Sequence, residues 1–316
     1  MATKVVATAF GGPEVLSVVP ADVPAPGAGE VTVQVRAAAI NPIDFKRFSG
    51  AMGSDPSTLP QPVGSELAGV VTAVGDDAEG PAGPVSPGDE VVVYPVTGAF
   101  ADAVTVPAST VVPKPAEVPW AEASGALLAG ATAVHALAVV GVAKSDTVLI
   151  HGGSGSVGQI AVQLAVETGA TVIATASERQ HDVLRGYGAI PVAYGPGLVD
   201  RVRAAAPGGV DAAVDTVGTD EAVDVSLELV EDRRRIATIA AFGRADTGIR
   251  LLGGAPGADP GTEIRRDAWR RLLPAAASGD LTIPVSATFP LTEAADAVRL
   301  VQGGHPGGKV VLLPDS

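Results

Sequence analysis

The chain has 316 residues and a formal charge of −14, with 21 Lys plus Arg against 35 Asp plus Glu; such a surface repels nucleic acid and anionic membrane. It contains no Cys, which removes disulfides, iron–sulfur clusters, thiolate nucleophiles and thiolate zinc ligands. At 47% hydrophobic and 3% aromatic residues, the cores must be built from Val, Ala, Leu and Ile, and the length suits two domains.

Met1 to Phe10 carries one Lys and no long apolar stretch, so no signal peptide is expected there. From residue 1 to about 120 the chain reads as short strands broken by turns. Val31 to Arg36 alternates with period two, Leu67 to Val74 and Glu90 to Tyr94 are valine-rich, and Ala101 to Val106 is a further short strand. Pro87-Gly88-Asp89 marks a tight turn into a strand. Trp120 to Val140 has helical spacing. Ala121 to Val142 comes nearest to a membrane span, but Glu122, His135, Gly125 and Gly130 favour a soluble helix. A cytoplasmic protein is expected.

A regular alternation follows. Strands are expected at Thr147–His151, Thr171–Ala174, Ala189–Ala193, Asp211–Asp215 and Arg235–Ala240, and helices at Val157–Thr168, Glu178–Tyr187 and Thr219–Leu229. That order predicts an α/β domain with a doubly wound parallel sheet of Rossmann type. Gly243 to Ala268 reads as loop with one short strand. Helices at Trp269–Ser278 and Leu291–Gln302 and a strand at Lys309–Leu313 complete the chain.

The strongest local signal is the glycine-rich turn. Gly153, Gly155 and Gly158 have GxGxxG spacing, with a strand before them and an amphipathic helix after. Small residues there let the chain turn, let backbone approach a pyrophosphate and let helix and strand pack closely. Amides at the helix start, from Gly153, Ser154, Gly155, Ser156, Val157 and Gly158, would then meet the phosphates. The second strand ends Ala174-Thr-Ala-Ser177 without the acid that usually holds a ribose 2′-hydroxyl. Ser177 and Arg179 follow instead, and an Arg fork suits a 2′-phosphate. The cofactor predicted is NADPH; a solvated helix residue is the other reading of Arg179.

The chain resembles the zinc-independent quinone oxidoreductase branch of the medium-chain dehydrogenases/reductases. Four stretches carry the resemblance: Asn41 to Lys46, Pro62 to Val71, Ser86 to Val92, and Asp146 to His151 with the glycine turn. It implies a GroES-like, mostly β substrate-side domain over 1–120, with a C-terminal return at about 285–316. It also implies a Rossmann cofactor domain over 121–284, and a homodimer. Where zinc-using relatives carry Cys and His, this chain has Asn41 and Ser65. By resemblance, Asn41 lies beside nicotinamide and substrate, with Asp44 organising the same loop. Thr132 contacts the nicotinamide ribose region, Tyr194 joins Ser177 and Arg179 around the 2′-phosphate, and Phe242 and Gly243 lie near the nicotinamide. Lys46, where many relatives have Tyr, is read as a proton donor, an anion clamp or a solvated residue.

The function expected is zinc-free hydride transfer from NADPH to a small quinone or another α,β-unsaturated carbonyl compound. Asn41, a backbone N–H, a ribose hydroxyl or water would stabilise the developing oxyanion. The alternatives are a pathway-specific enoyl or carbonyl reductase, and an NADPH-binding protein without turnover. His135 is read as a core histidine, and His151 as either a structural residue or one that orients backbone or cofactor. Asp215 is expected to hold the turn Thr216 to Gly218 by its backbone.

Overall fold

The computed structural model describes residues 2–304 and 306–314; His305, one of the four histidines, lies outside them. The chain divides into two compact units, 1–128 with 271–316, and 129–270.

The first unit is mostly β. The long strand Glu30–Ala39 is its spine, pairing antiparallel with Leu67–Val74, Ala103–Pro107 and the C-terminal strand Lys309–Leu313. Val31, Val33 and Val35 alternate along it and are each exposed to 3% or less, as period-two patterning requires. They pack with Phe48, Leu67, Phe100, Val298 and Leu312 in one core. Val285–Pro290 pairs parallel with Lys309–Leu313 at the edge of this sheet. Two strands absent from the sequence reading, Thr3–Ala7 and Leu16–Pro20, form a smaller sheet with Gln61–Pro62. Valines at adjacent positions conceal their alternation.

The second unit holds six parallel strands in the order Ile190–Val192, Thr171–Thr175, Thr147–His151, Ala212–Asp215, Ile236–Thr238, Arg250–Leu251. Numbered along the chain this is 3-2-1-4-5-6, the doubly wound Rossmann order. The central strands are apolar on both faces because helices cover both: Val148, Leu149, Ile150, Ala212, Ala213 and Val214 are each fully buried. The helix Ser156–Glu167 follows the glycine turn and gives way to Gly169 in the left-handed region. Thr219 caps Asp220–Leu229 by accepting the Ala222 N–H at 3.2 Å.

Three details differ from the sequence reading. The helix expected over Trp120–Val140 is two helices, Trp120–Ser124 and Leu127–Val139, broken at Gly125. A helix at Leu198–Ala205 occupies a stretch left unassigned, and another at Thr262–Asp267 a stretch read as loop. Both are short and begin after a glycine with positive φ, Gly197 and Gly261, rather than after a capping side chain that sequence would show.

Candidate functional site

Within the second unit, the strand Thr147–His151 turns into the helix Ser156–Glu167. The residue that makes the turn is Gly152, at φ +74, and not one of the three glycines of the motif spacing. Its N–H donates to Thr175 Oγ1 at 3.0 Å, and the Gly153 N–H donates to the Thr175 carbonyl at 2.8 Å. Strand two therefore holds the turn. The three motif glycines have separate tasks. A Cβ on Gly158 would run into the Gly152 carbonyl oxygen, and one on Gly153 would lie 2.8 Å from the Ala174 methyl. Gly155 is exposed, and a Cβ there would meet only the Gly152 oxygen, at 3.4 Å. Two glycines serve packing, and the third leaves an open face.

The first hydrogen bond of the helix runs from the Gln159 N–H to the Gly155 carbonyl at 2.8 Å. The amides of Ser156, Val157 and Gly158 precede that ladder, so they are the donors a helix start offers to an anion. Fully buried Gln159 supports the turn, its Nε2 donating to the Ser154 carbonyl at 2.8 Å while Tyr187 Oη lies 3.2 Å from Oε1. Sequence reasoning passed over Gln159, although a polar residue on the apolar face of a helix is a visible signal.

Of the other residues expected on the cofactor side, all but Thr132 follow the C-terminal ends of parallel strands of the same sheet. Ser177 is half-buried and Arg179 exposed after strand Thr171–Thr175. Tyr194 is 50% exposed after the neighbouring strand Ile190–Val192. Phe242 and Gly243 open the short helical stretch Phe242–Thr247, after strand Ile236–Thr238. Thr132 is buried in the helix Leu127–Val139. The residues present thus fit a dinucleotide: an open glycine, free amides, and a hydroxyl and a cation beyond the end of strand two.

Three polar groups are buried in the same unit. Asp215 accepts the N–H groups of Val217 and Gly218, each at 2.9 Å, and the Thr238 hydroxyl at 2.6 Å, so it holds the turn after its strand. His151 lies 3.1 Å from Ser226 Oγ, whose own hydrogen goes to the Ala222 carbonyl at 2.7 Å. The imidazole must therefore donate through Nε2. Burial holds its pKa down at about 4, against opposing pulls from Asp215 and Glu221. His135, also fully buried, takes the Arg265 Nε–H on Nδ1 at 3.2 Å, so its Nε2–H points at Asp259, 3.3 Å away. Burial lowers its pKa. Gly261 lies against this ring with φ +59, where any Cβ would overlap the imidazole.

In the first unit, helix Pro42–Phe48 starts with proline in its first turn, and the Asp44 carboxylate accepts the Asn41 N–H at 2.8 Å. Ser65 donates its hydroxyl hydrogen to the other Asp44 oxygen. Burial pushes the Asp44 carboxyl up to about 6; the bonds from Ser65 and Asn41 favour its ionised form but do not offset the lost water, and the Glu66 charge adds to the rise. The Asn41 side chain is 2% exposed. Its Nδ2 donates to Glu66 Oε1 at 2.9 Å and more weakly to the Ala39 carbonyl at 3.3 Å, and its Oδ1 accepts from Lys309 Nζ at 2.7 Å. Lys309 also bonds Glu66 Oε1 at 2.7 Å, and Glu66 Oε2 accepts the Leu128 N–H at 2.8 Å. Lys46, on the same helix as Asp44, is exposed and outside this network. Glu66 and Lys309 went unnoticed in sequence. Each is a single charge set in an apolar run, and that was the available signal.

Two family models match the chain: an alcohol dehydrogenase GroES-like domain over residues 27–116 and a zinc-binding dehydrogenase domain over 187–312. A mycobacterial quinone oxidoreductase structure is 31% identical with a TM-score of 0.81, covering 99% of this chain and 100% of its own. The Escherichia coli quinone oxidoreductase, solved with NADPH, is 26% identical with a TM-score of 0.86 over 99% and 100%. A phthioceranic/hydroxyphthioceranic acid synthase of Mycobacterium tuberculosis is 33% identical over 306 residues; these span 91% of this chain but 14% of the synthase. The chain belongs to the medium-chain dehydrogenase/reductase superfamily, in its quinone oxidoreductase branch. Its GroES-like domain and parallel Rossmann sheet are those of that family. The dinucleotide read from the sequence is the one that the E. coli structure holds.

Among the described residues, the zinc named in one family model's description finds no matching donors. Asn41 and Ser65 are a carboxamide and a hydroxyl already bonded to Lys309, Glu66 and Asp44. Among the described residues no three His, Cys, Asp or Glu side chains gather to hold a metal ion.

Proposed function

We propose that the protein is an NADPH-dependent reductase that delivers hydride to a quinone or another α,β-unsaturated carbonyl compound without zinc. The observation that carries this reading is the open glycine turn. Gly155 bares the backbone beside the free amides of Ser156, Val157 and Gly158, and Ser177 and Arg179 follow the next strand where an NAD site would place an acid. Gly153 to Gly158 would hold the pyrophosphate, Ser177, Arg179 and Tyr194 the 2′-phosphate, and Thr132, Phe242 and Gly243 the nicotinamide end.

When bound, the reduced nicotinamide supplies hydride to an electron-poor carbon. The work left to the chain is orientation and stabilisation of negative charge on the acceptor oxygen. Asn41 and Asp44 are the groups assigned to that side. Asp44, with a carboxyl near 6, can carry or release a proton at neutral pH, and a stabilised enolate needs no strong acid.

The test is anaerobic turnover with NADPH and NADH against a panel of quinones, enones and simple ketones, with calorimetry for each dinucleotide. Turnover of quinones or enones with a preference for NADPH is expected. Binding of neither dinucleotide sinks the reading. A second reading, a reductase dedicated to one enoyl intermediate of a biosynthetic pathway, draws support from the matched segment of the much longer synthase. Activity on a single enone with inert quinones would favour it.

A further inference from the structure

The first unit buries two opposite charges that the proposed chemistry does not use. Lys309 and Glu66 have side chains exposed to 2% and 0%, and they lie 2.7 Å apart. We propose that they are positioning residues that fix which end of the Asn41 carboxamide is nitrogen. The inference rests on the reading of Asn41 as an acceptor-side group.

A carboxamide has two ends of nearly equal size, and only its neighbours decide which end is which. Here each neighbour has one polarity. An ammonium can only donate, so the atom 2.7 Å from Lys309 Nζ must be Oδ1; an ionised carboxylate can only accept, so the atom 2.9 Å from Glu66 Oε1 must be Nδ2. A flipped amide would set N–H against ammonium and carbonyl against carboxylate, both inside the protein, where unmatched groups are costly. Both anchors are held in their turn. Glu66 is tied through Oε2 to the Leu128 N–H, and Lys309 begins a sheet strand with its own N–H on the Pro284 carbonyl at 2.7 Å. Gly125 leaves room for the lysine stem, since a Cβ there would lie 2.7 Å from Lys309 Cγ.

The pair is poorly explained as a device for stability alone, because apolar residues of the same volume often serve as well or better than a buried ion pair. What two charges provide and apolar groups do not is polarity at each end of Asn41. They spend one Nδ2 proton on Glu66 and leave the other on its longest contact, 3.3 Å to the Ala39 carbonyl. That is the proton an acceptor oxygen could compete for.

The test is the double variant Lys309→Met/Glu66→Gln, which removes both charges together so that neither is stranded. Melting temperature and NADPH affinity should stay close to those of the parent, while kcat falls roughly ten- to a hundredfold, the loss expected when a positioned group is released. Adding Asn41→Ala to the double variant should cost little more, because the pair acts through Asn41. Parental kcat in the double variant, or a full additional loss from Asn41→Ala, overturns the proposal. Should the double variant not fold, Lys309→Arg keeps the cation but moves its donors, and parental kcat there is equally fatal. A separate readout is hydrogen exchange of the Asn41 side-chain amide by NMR, slow in the parent and faster in the double variant; equal rates overturn the positioning role. A parent chain that binds NADPH yet reduces nothing, with slow amide exchange intact, overturns the functional reading and not the pair.

Discussion

Arg179 and Lys46 are both exposed cations on short helical segments, and the proposed function gives them unequal weight. Arg179 follows the strand that lacks an acid, so its guanidinium is assigned to a phosphate that NADH does not have. Arg179→Ala should raise KM for NADPH by about ten- to a hundredfold, the value of a charge-assisted hydrogen bond, and leave KM for NADH within about twofold. Equal effects on both dinucleotides would remove the assignment. Lys46 lies outside the Asn41, Asp44 and Glu66 network. Lys46→Met should keep kcat at saturating acceptor within about threefold, as for most surface changes, whereas Asp44→Asn should lower it clearly more. A large loss at Lys46 would restore it as a proton donor or anion clamp.

The glycine turn separates binding from folding at the level of a single strand–turn–helix element. Gly155→Val places its side chain on the open face with an ordinary φ of −76, so calorimetry should detect no dinucleotide binding while the melting temperature barely moves. Gly158→Ala forces a methyl against the Gly152 carbonyl and should cost about 1–3 kcal/mol of stability, as overpacking does. If both variants melt like the parent, the close packing described for this turn is wrong. The sequence carried the strand of this element, as it did others elsewhere: Thr147–His151, Leu67–Val74 and Lys309–Leu313 begin and end where the residue pattern places them, because alternation or a bounded apolar run survives in the finished sheet. The GxGxxG spacing located the turn but not its left-handed residue, since φ at Gly152 depends on the Thr175 bonds that only the folded sheet supplies. The same limit hid the Asn41 network, whose members lie 25 and 268 positions apart along the chain.

Across the whole molecule, two buried titratable groups pull stability in opposite directions, one in each compact unit. His151 has a folded pKa of about 4 against an ordinary 6.5. Below pH 6.5 the unfolded chain takes the proton first, so the cofactor unit loses stability, by about 2 kcal/mol at pH 5. Asp44 has a folded pKa of about 6 against 3.8. Below pH 6 the folded chain takes the proton first, so the first unit gains about 1 kcal/mol over the same range. Calorimetry from pH 7 to pH 5 should show melting resolve into two steps, with amide exchange assigning the earlier one to residues 129–270. A single transition with unchanged width, or the first unit melting earlier, would contradict these assignments. The contact between Gly261 and the His135 ring bears on how the chain can diverge over time. Exposed Gly254 and Pro256 can drift in composition, but Gly261 cannot acquire a side chain without evicting the imidazole that Asp259 and Arg265 grip. Homologous chains should therefore keep glycine at that position, or lose the histidine along with it.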